Sequence, residues 1–200
     1  MVTMTIVLSV PPTESAVALR LRPWRFDDLS ALIAAHRDPE LRRRLFTTLT
    51  DEADARRWLD AQAAGWAAAT RFSFAVVAGG EDGSPLGHAV VTPGTAGVAE
   101  VGYWTAAPAR GRGVAARALE TLSRWALETQ DLVPLTRLEL LHASGNAASC
   151  RVAVKCGYAL HDVLPAAPPT YPTSGHRHIR TAGAHGGDVF APPADGQLSS

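Results

Sequence analysis

A chain of 200 residues with 46% hydrophobic content can bury the core of one domain and is short for two. Its 19 basic and 19 acidic residues cancel, which argues against a nucleic-acid or anionic-membrane partner. The two cysteines, Cys150 and Cys156, have a spacing that suits neither a disulfide within one helix nor a metal site. The cysteines therefore predict a reduced, cytoplasmic protein. The Ala-, Arg-, Gly- and Pro-rich composition is typical of a GC-rich bacterial genome.

The first 16 residues contain one short apolar run, residues 6–10, which ends at two prolines. No Lys or Arg precedes this run, and it is too short to cross a bilayer, so it fits neither a signal peptide nor a membrane span. We expect a disordered leader over residues 1–16 and a folded domain over residues 17–181. Residues 182–200 lack a periodic apolar pattern and are expected to form a disordered tail.

The predicted elements begin with a strand, where apolar and basic residues alternate over residues 17–23. An apolar stretch that starts with two acidic residues predicts a helix over 29–35, and large apolar residues at helical spacing predict a second helix over 51–69. The later predicted elements are strands at 72–78, 85–92 and 98–106, a helix at 113–130, a strand at 135–142, a helix at 146–156, and closing strands at 158–163 and 176–181.

This order places an antiparallel meander before two strand–helix units. A glycine-rich turn over residues 79–84 is expected to join the first two strands of the meander as a hairpin. The combination is typical of an α/β (α+β) fold with a central mixed, mostly antiparallel sheet and helices on both faces.

The most informative segment is the loop between the strand over 98–106 and the helix over 113–130. Gly111 and Gly113 permit the positive-φ or crowded backbone that brings amide groups close to an anion. The start of the helix offers unpaired N–H groups and the positive end of its dipole. Arg110 and Arg112 add cationic side chains that suit phosphate oxygens. Residues 110–115 therefore predict a pyrophosphate site.

Two other interpretations of this loop exist. One is an ordinary Gly-containing loop with two solvated arginines, because Gly-x-Gly alone is a weak signal. The other is the dinucleotide fingerprint of a Rossmann domain, which Gly111, Gly113 and Ala116 would satisfy. Residues 108–110 separate the strand from the glycines where that fingerprint needs a tight turn, and the unit follows a meander. The Rossmann interpretation is therefore less favoured.

Four segments of the chain carry a family resemblance. They are Leu21-Arg-Pro-Trp-Arg-Phe-Asp-Asp28, Glu100-Val-Gly-Tyr-Trp104, Arg110-Gly-Arg-Gly-Val-Ala115 and Asn146-Ala-Ala-Ser-Cys-Arg-Val-Ala-Val-Lys-Cys-Gly-Tyr158. With them the chain resembles the GNAT superfamily of N-acetyltransferases, whose acyl-CoA signature is Arg or Gln, two residues, Gly, one residue, then Gly or Ala. The segments follow in order over roughly residues 17–181, and three of them (21–28, 100–104 and 146–158) also resemble the branch that contains the ribosomal-protein alanine and serine acetyltransferases.

The resemblance implies transfer of an acetyl group from acetyl-CoA to a primary amine, by direct attack in a ternary complex and without a metal. The amine would belong to a protein N-terminus or to a small molecule, and a non-catalytic acyl-CoA-binding module is the alternative. Two parallel strands, 98–106 and 135–142, would splay apart around the pantetheine arm. The protein is expected to be either a monomer or a homodimer. The implied coenzyme contacts are Trp104, Thr105, Ala106, Arg110, Gly111, Arg112, Gly113, Val114, Ala115 and Asn146.

Two residues are the expected catalytic groups. Glu100 is the candidate general base, acting directly or through water, because the resembling family often places a glutamate on this strand. A solvated or ion-paired strand residue is the alternative. Many relatives protonate the leaving thiolate with a tyrosine at the position that Ala153 holds here, and the resemblance suggests Ser149 as the replacement. Asn146 and Ser149 also suit a helix N-terminus, so plain capping is their alternative role.

The histidines are expected to be structural. His142 ends a strand, and His176 and His178 share a strand face, but the sequence places no Cys, Asp or Glu beside them to complete a ligand set. We therefore predict no metal site. Cys150 has no evident catalytic partner, and the arginines at 42–44 are expected on a solvated helix face.

Overall fold

The computed structural model describes residues 6–45, 47, 49–79, 83–168 and 172–183. Within these ranges, eight strands form a single sheet. They are β1 (Leu8–Val10), β2 (Leu19–Pro23), β3 (Phe72–Ala78), β4 (Pro85–Pro93), β5 (Val98–Thr105), β6 (Arg137–Ala143), β7 (Ala159–Leu164) and β8 (Gly175–Thr181). Their spatial order is β1-β2-β3-β4-β5-β6-β8-β7. Every neighbouring pair is antiparallel except β5 and β6, which are parallel.

The helices pack on both faces of this sheet. They are α1 (Leu29–His36), α2 (Pro39–Arg42), α3 (Glu52–Ala67), α4 (Val114–Arg124) and α5 (Ala147–Lys155). Short 3₁₀ turns cover Phe26–Asp28 and Ala107–Ala109, and a π-helical turn, Trp125–Thr129, continues α4. The predicted fold class, a mixed and mostly antiparallel sheet with helices on both faces, is confirmed.

The main core lies on the face that α4 and α5 cover. Phe72, Phe74 and Leu138 of the sheet are fully buried there against Leu119 and Leu122 of α4. Because strand side chains alternate between faces, Trp104 of β5 lies on the opposite face, where α1, α2 and α3 form a second cluster. The sheet is therefore a central layer with one hydrophobic cluster on each face.

The N-terminal strand corrects the predicted disordered leader. Leu8 pairs with Leu21 and Val10 with Leu19, so β1 adds an antiparallel strand to the edge of β2. Val10 is buried in the main core, which stabilises the strand. The prediction of disorder is therefore wrong for Leu8–Val10, and residues 1–5 lie outside the described part of the chain. Most of the predicted tail, from residue 184, and residues 80–82 of the predicted hairpin turn lie outside it too.

The parallel strands β5 and β6 separate along their length. They pair only from Val98 with Arg137 to Val101 with Leu140, whereas β5 continues to Thr105 and β6 to Ala143. The C-terminal halves of the two strands therefore diverge, as the family resemblance implies. We call the space between these halves the β5–β6 cleft.

Candidate active site

The loop at the end of β5 has the backbone that the sequence predicts. Gly111 and Gly113 both adopt left-handed conformations, with φ of 73° and 72°. A Cβ atom built at either glycine would meet no protein atom within 4 Å, so the loop surface is open. Other residues would be strained in this conformation. We refer to residues 110–115 as the glycine loop.

The amides of the glycine loop and of the first residues of α4 have no partner among the described residues. Gly113 is the N-cap of α4, and no side chain caps the helix. The first helical bond runs from the Arg117 amide to the Gly113 carbonyl at 3.1 Å, and the amides of residues 111–116 form no hydrogen bond within the described ranges. Such a run of unpaired N–H groups at a helix start is an anion-binding arrangement.

The two arginines of the loop differ in their surroundings. Arg112 is exposed and forms no ion pair with the residues that the structure describes. The guanidinium of Arg110 is held by Asp38, and it donates to Glu40 Oε2 at 3.0 Å. Both acids belong to the start of α2, a helix that the sequence analysis did not predict. In this structure Arg110 is therefore engaged by carboxylates, and its contact with a phosphate stays a prediction.

A chain of polar contacts continues from Glu40 to α5. Arg44 donates to Glu40 Oε1 at 2.8 Å and to Asn146 Oδ1 at 2.6 Å, so the arginine expected to be solvated links α2 with α5. Asn146 is the N-cap of α5, because its Oδ1 also accepts from the Ser149 amide at 3.2 Å. The capping role is thus present, and a coenzyme contact of Asn146 stays a prediction.

Backbone groups of β5 line the β5–β6 cleft. The Ala106 amide donates to the Leu86 carbonyl at 2.8 Å and is therefore turned towards β4. Because consecutive residues of a strand direct their backbone groups to alternate edges, Trp104 has the same orientation and Tyr103 and Thr105 face the cleft. Of the three residues expected to pair with the pantetheine arm, the strand geometry favours Thr105, and it adds Tyr103.

Glu100 lies in the paired part of β5, on the face covered by α3. It is opposite Thr92 of β4 and Glu139 of β6. It forms no ion pair within the described ranges, whereas Glu139 is bound by Arg137 at 2.9 Å. The residue is exposed, yet surrounding protein atoms partly desolvate its carboxylate and raise its pKa. Arg71 opposes this shift and Glu139 adds to it. A glutamate with a raised pKa is suited to act as a base near neutral pH.

Ser149 lies on the other face of β5. It approaches the Tyr103 hydroxyl closely enough to lower the pKa of that phenol, although burial raises that pKa overall. The pair does not reach normal hydrogen-bond geometry, and the buried Tyr103 hydroxyl has no other partner among the described residues. Ala153 is fully buried in α5 and offers no acid. The structure therefore brings Ser149 and Tyr103 together and separates them from Glu100 by the strand.

An aromatic cluster of Trp24, Trp58, Trp104 and His88 covers the same face as Glu100. Trp24 Nε1 donates to His88 Nδ1 at 3.0 Å, and His88 stacks on Trp104 with ring centroids 5.8 Å apart. Burial, together with Arg71 and His36, lowers the pKa of His88 to about 3, so the ring is neutral. Trp24 and Trp58 are only half-buried and offer ring surface beside the site.

Comparison with known proteins identifies this arrangement. The Acetyltransferase (GNAT) domain family matches residues 18–159, which is most of the chain and includes the glycine loop. The chain belongs to the GNAT acetyltransferase family. Its members are acetyl-CoA-dependent acyltransferases, and this assigns the enzyme class. No curated protein is significantly similar to the chain in sequence.

Solved GNAT structures share the fold. RimL, a ribosomal L7/L12 α-N-protein acetyltransferase in complex with coenzyme A, has 16% identity over 88% of this chain and 99% of its own, with a TM-score of 0.73. RimJ of Mycobacterium smegmatis, in complex with CoA-disulfide, has 19% identity over 89% and 87%, with a TM-score of 0.71. Spermidine N-acetyltransferase of Vibrio cholerae, in complex with CoA and spermine, has 13% identity over 83% and 96%, with a TM-score of 0.70.

The GNAT assignment removes the Rossmann interpretation of the glycine loop. A Rossmann domain needs a mainly parallel sheet, whereas β5 and β6 are the one parallel pair among the described strands. No described helix is both long and apolar enough to cross a bilayer. The site residues missed by sequence reasoning are Tyr103, Arg71, Glu139, and the two acids at the start of α2. Only Tyr103 had a usable signal, since it lies within the segment 100–104.

Proposed function

We propose that this GNAT protein transfers an acetyl group from acetyl-CoA to a primary amine by direct attack in a ternary complex. The observation that carries the proposal is the junction of two features: the β5–β6 cleft leads directly into a glycine loop whose amides are unpaired within the described ranges. A linear thioester with a charged pyrophosphate fits such a junction, because its arm needs a strand edge and its phosphates need amide donors.

Each part of the coenzyme has a matching surface. The pyrophosphate binds the amides of residues 111–116, with Arg112 as the nearby cation. The amide-containing pantetheine arm pairs with the cleft-facing backbone of Tyr103 and Thr105, in the manner of an added strand. A backbone N–H of this strand also polarises the thioester carbonyl. Arg110 can contact the pyrophosphate only if its ion pairs with Asp38 and Glu40 break.

Reversing the charge of Arg112 is expected to weaken acetyl-CoA binding. Arg112→Glu should raise the Kd by about 3- to 30-fold, because an exposed attraction worth at most about 1 kcal/mol becomes a repulsion of similar size. Calorimetry measures the Kd, and the loss should shrink at high salt. Arg124→Glu, at the opposite end of α4, is the matched control and should leave the Kd for acetyl-CoA unchanged at low and at high salt. Equal affinities for both variants and the unmodified chain would remove Arg112 from the site.

Acetyl transfer needs a neutral amine, and Glu100 supplies the base. A lysine-type amine is neutral in only about one molecule in a thousand at pH 7, and an α-amine in roughly a tenth. Glu100 takes the proton, directly or through water, as the C–N bond forms and the C–S bond breaks. The leaving thiolate is protonated on the other face of β5 by Ser149, which lies beside the Tyr103 phenol. Base and acid thus act from opposite faces.

The acceptor approaches from the Glu100 face. The half-buried rings of Trp24 and Trp58 provide an aromatic surface there, which attracts a cationic amine before it loses its proton. The buried, neutral His88 packs behind these rings and adds no competing positive charge. Both a protein N-terminus and a small polyamine fit this chemistry, and the GNAT neighbours named above act on each class. The free thiols of Cys150 and Cys156 fit a reducing, cytoplasmic location.

A panel of amines tests the proposal. Release of free thiol from acetyl-CoA is measured with peptides that begin with Ser or Ala, with spermidine and with free lysine. At least one class should accelerate release in proportion to enzyme concentration, with the acetyl group found on its amine by mass spectrometry. If the chain binds acetyl-CoA in calorimetry and no amine accelerates thiol release, it is a non-catalytic acyl-CoA-binding module instead.

A further inference from the structure

Four side chains that can bind a metal meet between α5 and the sheet. His142 of β6 pairs directly with His176 of β8, and His178 lies on the same face of β8. Cys150 of α5 lies above them. The potential ligand atoms of these four residues all lie within 4.8 Å of one another. We call them the histidine–cysteine cluster; it corrects the sequence-based argument that no cysteine completes a ligand set.

The cysteine sulfur lies close to two imidazole nitrogens. Cys150 Sγ is 3.2 Å from His176 Nδ1 and 3.7 Å from His142 Nε2. His142 Nδ1 lies 2.9 Å from the Ala143 carbonyl oxygen, which can only accept, so Nδ1 carries the proton and Nε2 presents a lone pair. A backbone carbonyl that fixes the tautomer in this way is a usual companion of a metal-binding histidine.

His178 is buried without a normal polar partner. It is 2% exposed, and neither of its ring nitrogens makes a hydrogen bond of normal geometry with the described residues. Burial lowers its pKa, the Tyr158 backbone opposes this, and His142 and His176 lower it further. Burial also lowers the pKa of His142. A buried imidazole without a normal polar partner, beside a thiol and two further imidazoles, is the geometry of a metal-ligand position.

We propose that His142, Cys150, His176 and His178 bind one divalent metal ion of the zinc type. One thiolate and three imidazoles form a four-ligand set that suits the borderline-soft character of zinc. Tetrahedral bonds of about 2.0–2.3 Å place ligand atoms roughly 3.3–3.8 Å apart, so the cluster closes by small rotations of the rings. Four protein ligands leave no open position, which makes the ion structural rather than catalytic.

The ion would hold the N-terminal half of α5 against β6 and β8. Cys150 follows Ser149 directly, so the metal also fixes the helix segment that carries this proposed catalytic residue. The proposal does not depend on the acetyl transfer, because the cluster stands on its own geometry.

Cobalt spectroscopy on the full chain tests the site. Co²⁺ titrated into metal-free protein should bind one ion per chain, with the visible bands of a tetrahedral ion and a near-ultraviolet sulfur-to-cobalt band, and zinc should displace it. Cys150→Ser should abolish the sulfur band, and Cys150→Ser and His176→Asn should each weaken the affinity at least about tenfold. His161→Ala, an exposed histidine of β7 outside the cluster, is the matched control and should behave as the unmodified chain.

Thiol alkylation gives a second, independent measurement. Zinc should slow the reaction of iodoacetamide with Cys150 at least about tenfold, because coordination occupies the lone pairs of the sulfur. Cys156 is an internal reference, since burial raises its pKa to about 12 and keeps it slow with or without zinc. Thermal unfolding of the metal-free variants confirms that they are folded.

Three results would overturn the proposal: no sulfur-to-cobalt band, variants that bind cobalt as the unmodified chain does, or alkylation of Cys150 at the same rate with and without zinc. Any of these would leave Cys150 and His176 as a plain thiol–imidazole pair.

Discussion

Glu100→Gln is expected to lower kcat for acetyl transfer by about 10²- to 10³-fold, because the variant keeps the shape of the side chain and loses the base. The loss should be largest with a lysine-type amine, whose neutral fraction is smallest. The Kd for acetyl-CoA should not change, since Glu100 lies in the paired part of β5, away from the glycine loop. Thiol release under saturating acetyl-CoA measures kcat, and calorimetry measures the Kd for acetyl-CoA.

The pH profile adds a sharper readout. A base acts only when it is deprotonated, so kcat/KM should fall as the pH drops through the pKa of Glu100. Because the pKa of Glu100 is raised, this fall should begin at a higher pH than for an ordinary glutamate, and it should vanish in Glu100→Gln. Glu139→Gln is the control: it keeps the base and removes a charge that raises the pKa of Glu100, so the fall should move to lower pH.

Two outcomes would remove Glu100 from catalysis. One is a fall of kcat/KM at low pH that occurs at the same pH in Glu100→Gln as in the unmodified chain. The other is a kcat that Glu100→Gln and Glu139→Gln lower equally, which would indicate a general disturbance of the strand.

Gly113→Ala is expected to weaken acetyl-CoA binding by about 10- to 100-fold. The left-handed backbone at Gly113 strains an alanine by about 1–2 kcal/mol, and the new methyl group projects into the open space in front of the unpaired amides. Losing one amide bond to a charged phosphate costs about 1.5–3 kcal/mol, which sets the size of the effect. Calorimetry with acetyl-CoA measures it.

Gly79→Ala is a closely matched control for this substitution. Gly79 has a φ of 69°, and a Cβ built there also meets no protein atom within 4 Å. The two variants should therefore lose similar stability in thermal unfolding, whereas only Gly113→Ala should lose affinity. Equal affinities in the two variants would contradict the role of the glycine loop.

Local sequence signals predicted the elements of this fold well. The strand predicted over 72–78 is β3 with the same bounds, because its apolar run is flanked by clear turn residues. The helix predicted over 146–156 is α5, with Asn146 as its N-cap and Gly157 in the left-handed conformation after it. The positive φ of Gly111 and Gly113 was also predictable from a local signal, because glycine is the residue that adopts the left-handed conformation without strain.

Contacts between distant residues were not predictable in this way. The acids that hold Arg110 lie about 70 residues earlier in the chain, on a helix of one turn that has no periodic pattern. The orientation of the Ala106 amide depends on the pairing of β5 with β4, which composition does not report. The histidine–cysteine cluster forms only because β8 pairs with β6 and α5 crosses above them, so spacing along the sequence argued against it.

A crystal structure of the chain with coenzyme A tests the central claim most directly. We expect pyrophosphate oxygens within hydrogen-bond distance of amides in residues 111–116, and the pantetheine arm between β5 and β6 beside the backbone of Tyr103 and Thr105. A coenzyme bound elsewhere, with those amides still in contact with solvent alone, would contradict the account.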